Sequence, residues 1–286
     1  GVFGRAGRTD VRAFTDRADL IVAVGYDPIE INYEEWVGTR PVVHISGEAA
    51  EVSDELSFAW NKACDLDPAV EAMVKLPPLA NEWDMADWRS HRQGLERSLR
   101  PESQGFALHH LLDILRERLP PDGILAYDVG AHTHQIASQW RTDHAKTLLA
   151  TNGWSSMGYG MPAAFAAKLV FPERRVVAVV GDGGFQMTVG ELALARRLNL
   201  AVPTIVLNDG WLGLMKVKQE RKGYILSGVY LGKPVESPPH YFGVVCRPAK
   251  NPQEFSDALD WELGLNGPSV IEAFIDVAPY SQTVFD

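Results

Sequence analysis

The chain has 286 residues, 46% hydrophobic and 22% charged with 8 tryptophans, enough apolar material for two buried cores and too much for a disordered or low-complexity scaffold. Its 27 basic against 37 acidic residues leave a net charge of −10, the wrong sign for coating nucleic acid or anionic lipid, so neither is expected as a partner, although a small anion can still bind locally. Two cysteines, Cys64 and Cys246, are too few for a disulfide framework or a cysteine-built zinc site and point to a reducing, cytoplasmic setting. No apolar run approaches the roughly 18 residues that span a bilayer. The start, Gly1-Val2-Phe3-Gly4-Arg5, lacks an initiator methionine and the basic head and apolar stretch of a signal peptide, as expected of a chain cut into partway.

In chain order, Thr9 as a cap followed by Val11, Phe14 and Ala18 predicts a helix, the run Leu20–Val24 ending at Gly25 a buried strand, and Pro41–Ile45 a second strand. Residues 1–76 therefore read as part of an α/β layer structure. Pro77-Pro78 and the polar stretch through Arg89, His91, Arg92, Glu96 and Arg100 to Pro101 read as a helix-bearing linker, residues 77–104. From 105 to 286 the order is regular. Helices are predicted at Phe106–Arg118, Met161–Leu169, Val189–Leu198 and Gln253–Leu263, and strands at Ile124–Tyr127, Arg175–Val180, Thr204–Leu207 and Ser269–Ile275. Strands that are apolar throughout and alternate with helices indicate a parallel sheet covered on both faces.

Ligands of such sheets bind outside the carboxyl ends of the strands. Three ends are unusual: Asp128-Val129-Gly130-Ala131-His132, Gly181-Asp182-Gly183-Gly184-Phe185 and Asn208-Asp209-Gly210. Glycines around Asp182 allow a sharp turn, and Gly183 and Gly184 offer unobstructed N–H groups just before a helix, where a phosphate is favoured. An acidic side chain there repels an anion unless a cation intervenes, and Asp182 with Asp209 supplies hard oxygen ligands for Mg²⁺ or Ca²⁺. The tripeptide alone is equally a tight strand-to-helix turn; the third strand end tips the reading toward a metal-bridged diphosphate.

Gly181-Asp182-Gly183, twenty-four residues from Gly184 to Leu207, then Asn208-Asp209, together with the segment Thr151–Ala164 and Asp128–His132, resembles the cofactor signature of the thiamine-diphosphate-dependent enzymes of the acetolactate synthase and pyruvate decarboxylase type. The resemblance covers residues 105–286 and implies an α/β fold whose parallel sheet is flanked by helices. Residues 1–76 resemble the later half of the family's central domain, an incomplete Rossmann-like α/β domain. Val24-Gly25-Tyr26-Asp27-Pro28-Ile29-Glu30 is similar to catabolic acetolactate synthases and to flavin-free members, so FAD is the disfavoured alternative there.

The resemblance implies thiamine diphosphate and Mg²⁺ (or Ca²⁺ or Mn²⁺) as cofactors. The metal would be held by the carboxylates of Asp182 and Asp209 and the main-chain carbonyl of Trp211. The amides of Gly183 and Gly184 and the turn Val129, Gly130, Ala131 and His132 would hold the diphosphate. Met157 would wedge the cofactor into its bent conformation while the Ser155 carbonyl accepts from its amine. Asp209 departs from the commoner Asn and adds charge to the metal site. Leu212, Gly213, Leu214, Lys218 and Gln219 fall where the family lines its substrate pocket; Lys218 either pairs with a substrate carboxylate or is a solvated charge beside Lys216, Arg221 and Lys222.

The implied activity is that of a carboligase or lyase on pyruvate or another small 2-oxo acid, acetolactate synthase-like. The alternatives are a simple decarboxylase of the same family and, from another class, a cofactor-binding subunit without turnover. The glutamate that assists the cofactor lies on a pyrimidine-binding domain, here a missing amino-terminal half or a separate chain, which implies a homo- or hetero-oligomer, dimer or tetramer. Glu191 reads as structural, and a phosphohydrolase using Asp182 and Asp209 is the remotest reading. Among His109, His110, His132, His134 and His144 the spacing makes no compact ligand set; all but His132 read as surface or second-layer residues.

Overall fold

Four apolar residues ending at a glycine make the first strand, β1 (Ile21–Val24), and Gly25 turns the chain at φ +61°, a conformation open to a residue without Cβ. The computed structural model describes residues 2, 7–28, 31, 33–54, 56–77, 83–151, 153–233 and 237–284, and divides the chain into two units, Gly1–Glu96 and Arg97–Asp286. The expectations resting on Gly1, Phe3, Gly4, Arg5, Ile29, Glu30, Pro78 and Asn152 lie outside the described residues. Among the described residues no helix is long and apolar enough to cross a membrane.

In the first unit a helix, α1 (Thr9–Thr15), precedes β1; Arg8 takes the cap position, so Thr9 lies inside the helix, which stops before Ala18. Two further strands, β2 (Val42–Ser46) and β3 (Phe58–Ala63), complete a parallel sheet in the order β1-β2-β3, with Ile21 opposite Val42 and Val24 opposite Ile45. The sequence reading passed over β3 because Asn61 and Lys62 interrupt its apolar character. Helices α2 (Leu66–Val74) and α3 (Met85–Ser98) follow. Ala23, Tyr33, Val37, Val42 and Ala50 form a small core. The Tyr33 hydroxyl lies 2.7 Å from Nδ1 of buried His44, so neither polar group is stranded.

The second unit begins with α4 (Leu108–Arg118), whose Leu108, Leu111, Leu112 and Leu115 fall on one face at helical spacing and are all buried. Then come β4 (Ile124–Tyr127), α5 (Ala131–Gln139), the short β5 (Leu148–Leu149), α6 (Gly160–Val170), β6 (Val176–Gly181), α7 (Asp182–Thr188), α8 (Glu191–Arg197) and β7 (Pro203–Asn208). The chain continues through α9 (Gly213–Arg221), β8 (His240–Tyr241), β9 (Val244–Ala249), α10 (Pro252–Leu263), β10 (Ser269–Phe274) and α11 (Tyr280–Thr283). The seven strands lie in the order β5-β4-β6-β7-β10-β9-β8, parallel except for the edge pair β8–β9. Residues of β4 are buried throughout, and those of β6, β7 and β10 in all but the last position. One core joins Leu111, Leu115, Val177, Ile205, Phe255 and Ile271; the other, on the opposite face, joins Met161, Phe165, Ala178, Leu192, Val206 and Val270. The parallel sheet covered by helices is the fold class read from the apolar strands.

The helix expected at Val189–Leu198 forms as α8 (Glu191–Arg197), but a further helix, α7, precedes it and begins already at Asp182. Glycine's helix penalty argued against this start, yet packing overrides it. A Cβ on Gly183 would lie 2.8 Å from Leu212 Cδ2, and one on Gly184 1.7 Å from Asp128 Oδ2, so a larger residue in either place would displace a neighbouring side chain. Gly183 and Gly184 are thus first-turn residues of α7, still among the amides a helix leaves without an internal partner.

Candidate metal and cofactor site

Strands β4, β6 and β7 are consecutive in the sheet, so the three unusual strand ends share one edge. They surround a cavity of about 220 Å³. Its lining includes Val129, Gly130, Ala131, His132, Ser155, Met157, Asp182, Gly183, Gly184, Asp209, Trp211, Leu212, Gly213 and Leu214, together with Gly181, Leu207, Met215 and Tyr280. Every residue expected to contact the cofactor is therefore in one place. Helices α5, α7 and α9 all start there, each at the end of a strand or its short loop.

The two acidic groups are tied by the backbone. Gly183 N donates to Asp182 Oδ1 at 2.7 Å, and Gly210 N, from the neighbouring strand end, donates to Oδ2 at 2.8 Å. Trp211 N donates to Asp209 Oδ1 at 2.8 Å and the Tyr280 hydroxyl to Oδ2 at 3.0 Å. Burial raises the pKa of Asp182 against the lowering effect of its amide donors. Burial, with the charge of Asp182 beside it, pushes Asp209 up to about 7. A buried and a half-buried carboxylate, the charge of the first raising the cost of ionising the second, form a hard-oxygen donor set suited to a divalent cation. Among the described residues no group of three or more His, Cys, Asp or Glu side chains could hold a metal.

Glycines carve the cradle: besides Leu212, a Cβ on Gly183 would meet Met157 Cε at 3.1 Å, and one on Gly213 would meet Tyr280 Cε2 at 2.8 Å. The segment carrying Met157 is hung from β4, since buried Asp128 accepts from Gly158 N at 2.9 Å and Tyr159 N at 3.0 Å. Ser155 stands at φ +45°, a backbone conformation uncommon for serine and a frequent mark of functional loops. At the start of α5, Gly130 N donates to Thr133 Oγ1, which donates to Asp128 O, both at 3.0 Å. His132 follows, buried, its pKa pushed down by burial, with Nε2 lacking a hydrogen-bond partner among the described residues. A polar ligand in the cavity would supply the partner that this imidazole nitrogen lacks. The donor set, the glycine cradle and this nitrogen fit a metal-bound diphosphate.

The structure does not bring Lys218 and Gln219 into the cavity lining. They lie on α9, Lys218 exposed and Gln219 clasping Ser227 through Nε2 to O at 3.1 Å and Oε1 from N at 3.0 Å. Glu191 is exposed in the first turn of α8. His109 and His134 are buried, which fits the second-layer half of their reading and not the surface half: the His109 ring lies tilted against His110 at 4.1 Å between centroids, and burial pushes its pKa down to about 4. Sequence reasoning missed Tyr280. It stands directly after the segment that follows the last strand, and only the strand-end rule applied to β10 would have pointed to that region. On the same side of the second unit Trp154 is 99% exposed, Met187 64% and Tyr230 53%, while Met215 joins the cavity lining.

Parallel strands with acidic, glycine-rich carboxyl ends around a metal-ready cavity define a diphosphate-binding α/β domain. The family described as thiamine pyrophosphate enzyme, C-terminal TPP binding domain, matches residues 128–273 of the 286. The chain belongs to that thiamine-diphosphate-dependent family, on its acetolactate synthase-like branch. The acetolactate synthase large subunit of Lactococcus lactis is 28% identical over 227 residues, covering 77% of this chain and 39% of that protein. The catabolic acetolactate synthase of Raoultella terrigena is 29% identical over 272 residues, 91% of this chain and 48% of that protein. Acetolactate synthase isozyme 2 large subunit of Escherichia coli is 26% identical over 291 aligned positions, 96% of this chain and 51% of that protein. The chain thus spans about half or less of the length of these relatives.

Proposed function

We propose that this chain is the diphosphate- and metal-binding part of a thiamine-diphosphate- and Mg²⁺-dependent carboligase acting on pyruvate or a related small 2-oxo acid. The observation that carries it is the convergence of Asp182 and Asp209, from adjacent strand ends, on one glycine-lined cavity. When bound, thiamine diphosphate supplies carbanion chemistry for cleaving and forming bonds next to a carbonyl group. The chain's own residues bind and orient it. Asp182, Asp209 and the Trp211 carbonyl hold the cation; Gly183, Gly184 and the Val129–His132 segment hold the diphosphate. Met157 supports the cofactor's bend, and the Ser155 carbonyl accepts from its amine. Leu212, Gly213 and Leu214 wall the reacting end, while Lys218 and Gln219, on the same helix, would have to reach substrate from outside the lining.

No glutamate lines the cavity among the described residues. The cavity is also smaller than the about 300–1,000 Å³ of complete ligand pockets. Both support a shared site in which a pyrimidine-binding domain brings the glutamate and the remaining wall, as part of a dimer or tetramer. The exposed Trp154, Met187 and Tyr230 offer apolar surface for such a contact.

Calorimetric titration with thiamine diphosphate, with and without Mg²⁺, tests the reading on wild type and Asp182→Ala. Binding that needs the metal and weakens by about 100-fold or more in the variant is expected, the consequence of removing a direct charged ligand. Binding indifferent to both metal and Asp182 would overturn it. Product analysis with pyruvate then separates coupling from simple decarboxylation.

A further inference from the structure

Among the described residues, backbone amides reach three of the four oxygens of Asp182 and Asp209: Gly183 N and Gly210 N on Asp182, and Trp211 N on Asp209 Oδ1. The fourth, Asp209 Oδ2, accepts from a side chain, the hydroxyl of Tyr280, at 3.0 Å. Tyr280 is 3% exposed and lines the cavity itself. It stands at the start of α11, its N–H donating to Val277 O and its carbonyl accepting from Val284 N, both at 3.0 Å. Its ring closes against the first residue of α9, where even a Cβ on Gly213 would come within 2.8 Å of Tyr280 Cε2. The phenol is therefore held by packing on one side and by the carboxylate on the other, with two side-chain torsions to fix.

We propose that Tyr280 is a positioning residue: by holding Oδ2 of Asp209 it fixes the carboxylate in one orientation toward the cation and so sets the affinity of the chain for Mg²⁺. An ionised carboxylate offers about four lone-pair sites. With Oδ1 on Trp211 N and Oδ2 on Tyr280, those left over point in defined directions. Without the hydroxyl the side chain hangs from Oδ1 alone and can turn about its terminal torsion. Groups that orient a metal ligand in this way typically change metal affinity by 10–100-fold when removed. The inference rests on the metal-diphosphate reading and adds to it a residue whose hydroxyl acts through Asp209.

The test titrates Mg²⁺ into the chain in the presence of thiamine diphosphate, and the cofactor at saturating Mg²⁺, for wild type, Tyr280→Phe, Asp209→Asn and the double variant. Phenylalanine keeps the ring against Gly213, and near-ultraviolet circular dichroism verifies the fold. Tyr280→Phe is expected to raise the Mg²⁺ dissociation constant by about 10-fold while leaving cofactor affinity at saturating Mg²⁺ unchanged. In the Asp209→Asn background, where no second carboxylate oxygen remains to be held, the effect should fall toward unity. Unchanged Mg²⁺ affinity in Tyr280→Phe overturns the proposal, as does an equal loss of metal and cofactor affinity in both backgrounds, the mark of a structural role. Gly213→Ala, which displaces the ring with the hydroxyl intact, should weaken Mg²⁺ in the same direction and covers the case of a Tyr280→Phe chain that does not fold. If wild type binds without metal and Asp182→Ala matches it, the metal-diphosphate reading itself has failed, an outcome distinct from failure at Tyr280.

Discussion

Asp209 joins the cavity's electrostatics to the stability of the empty protein. Its folded pKa is raised from 3.8 to about 7 by burial and by the neighbouring Asp182. A carboxyl shifted upward contributes stability that is fully present below its unfolded value near 3.8 and is lost as pH rises through about 7, because the folded state then has to hold a buried charge. Thermal unfolding of the metal-free chain between pH 4 and 8 should show that loss, and Asp209→Asn should flatten it. An identical pH profile in the two proteins would contradict the shift. The same residue shows how far the sequence speaks about the site. Its place at a strand end and its distance from Gly181-Asp182-Gly183 carry the family resemblance through which it and most of the cavity-lining residues were legible. Tyr280, equally close to the carboxylate, has no such spacing to announce it, since it is brought there by the packing of α11 on α9.

Helix starts are where local preference and packing disagree in this fold. Gly183 and Gly184 are poor helix formers, so the sequence places the helix later, yet α7 begins at Asp182, where a larger residue in either place would displace Leu212 or Asp128. Gly184→Ala would put a Cβ 1.7 Å from Asp128 Oδ2 and drive that carboxylate off Gly158 N and Tyr159 N. Overpacking of this kind costs about 1–3 kcal/mol, to be read as a lower urea midpoint at unchanged slope. The segment bearing Met157 should loosen with it, and cofactor affinity should fall. A midpoint equal to wild type would show that Asp128 has room to retreat. Lys218 and Gln219 illustrate the converse. The family resemblance puts them at the substrate pocket, and on α9, which begins at Gly213, they lie beyond the residues that line the cavity.

At the scale of the molecule, the seven-stranded sheet was legible through its four apolar, covered strands; β5 and β8 were not, being two residues long and at the two edges, nor was β9, whose Arg247 and Pro248 interrupt its apolar run. Buried polar groups inside it were equally invisible. Glu262 of α10 is 1% exposed, with both carboxyl oxygens lacking a hydrogen-bond partner among the described residues, and burial pushes its pKa up to about 8. Raised from 4.5, this group too stabilises below its unfolded value and ceases to as pH passes about 8. Glu262→Gln should therefore melt higher than wild type at pH 9, by less at pH 6, and close to it only at about pH 4, below the unfolded value. A variant less stable at pH 9 would mean that the ionised carboxylate has support from Arg247 beyond what burial removes.

The adjacency of β6 and β7 also has a kinetic side. Asp182 and Asp209 come within reach of one another only after the crossover through α7 and α8 has closed and the two strands have paired, from Ala178 opposite Thr204 to Gly181 opposite Leu207. Parallel pairing of this kind is non-local and slow to form. A cation or cofactor that needs both carboxylates has nothing to grip in the unfolded chain or in an early intermediate, so adding it should leave the refolding rate almost untouched. Its whole effect should fall on the reverse reaction, slowing unfolding and lengthening the lifetime of the native state.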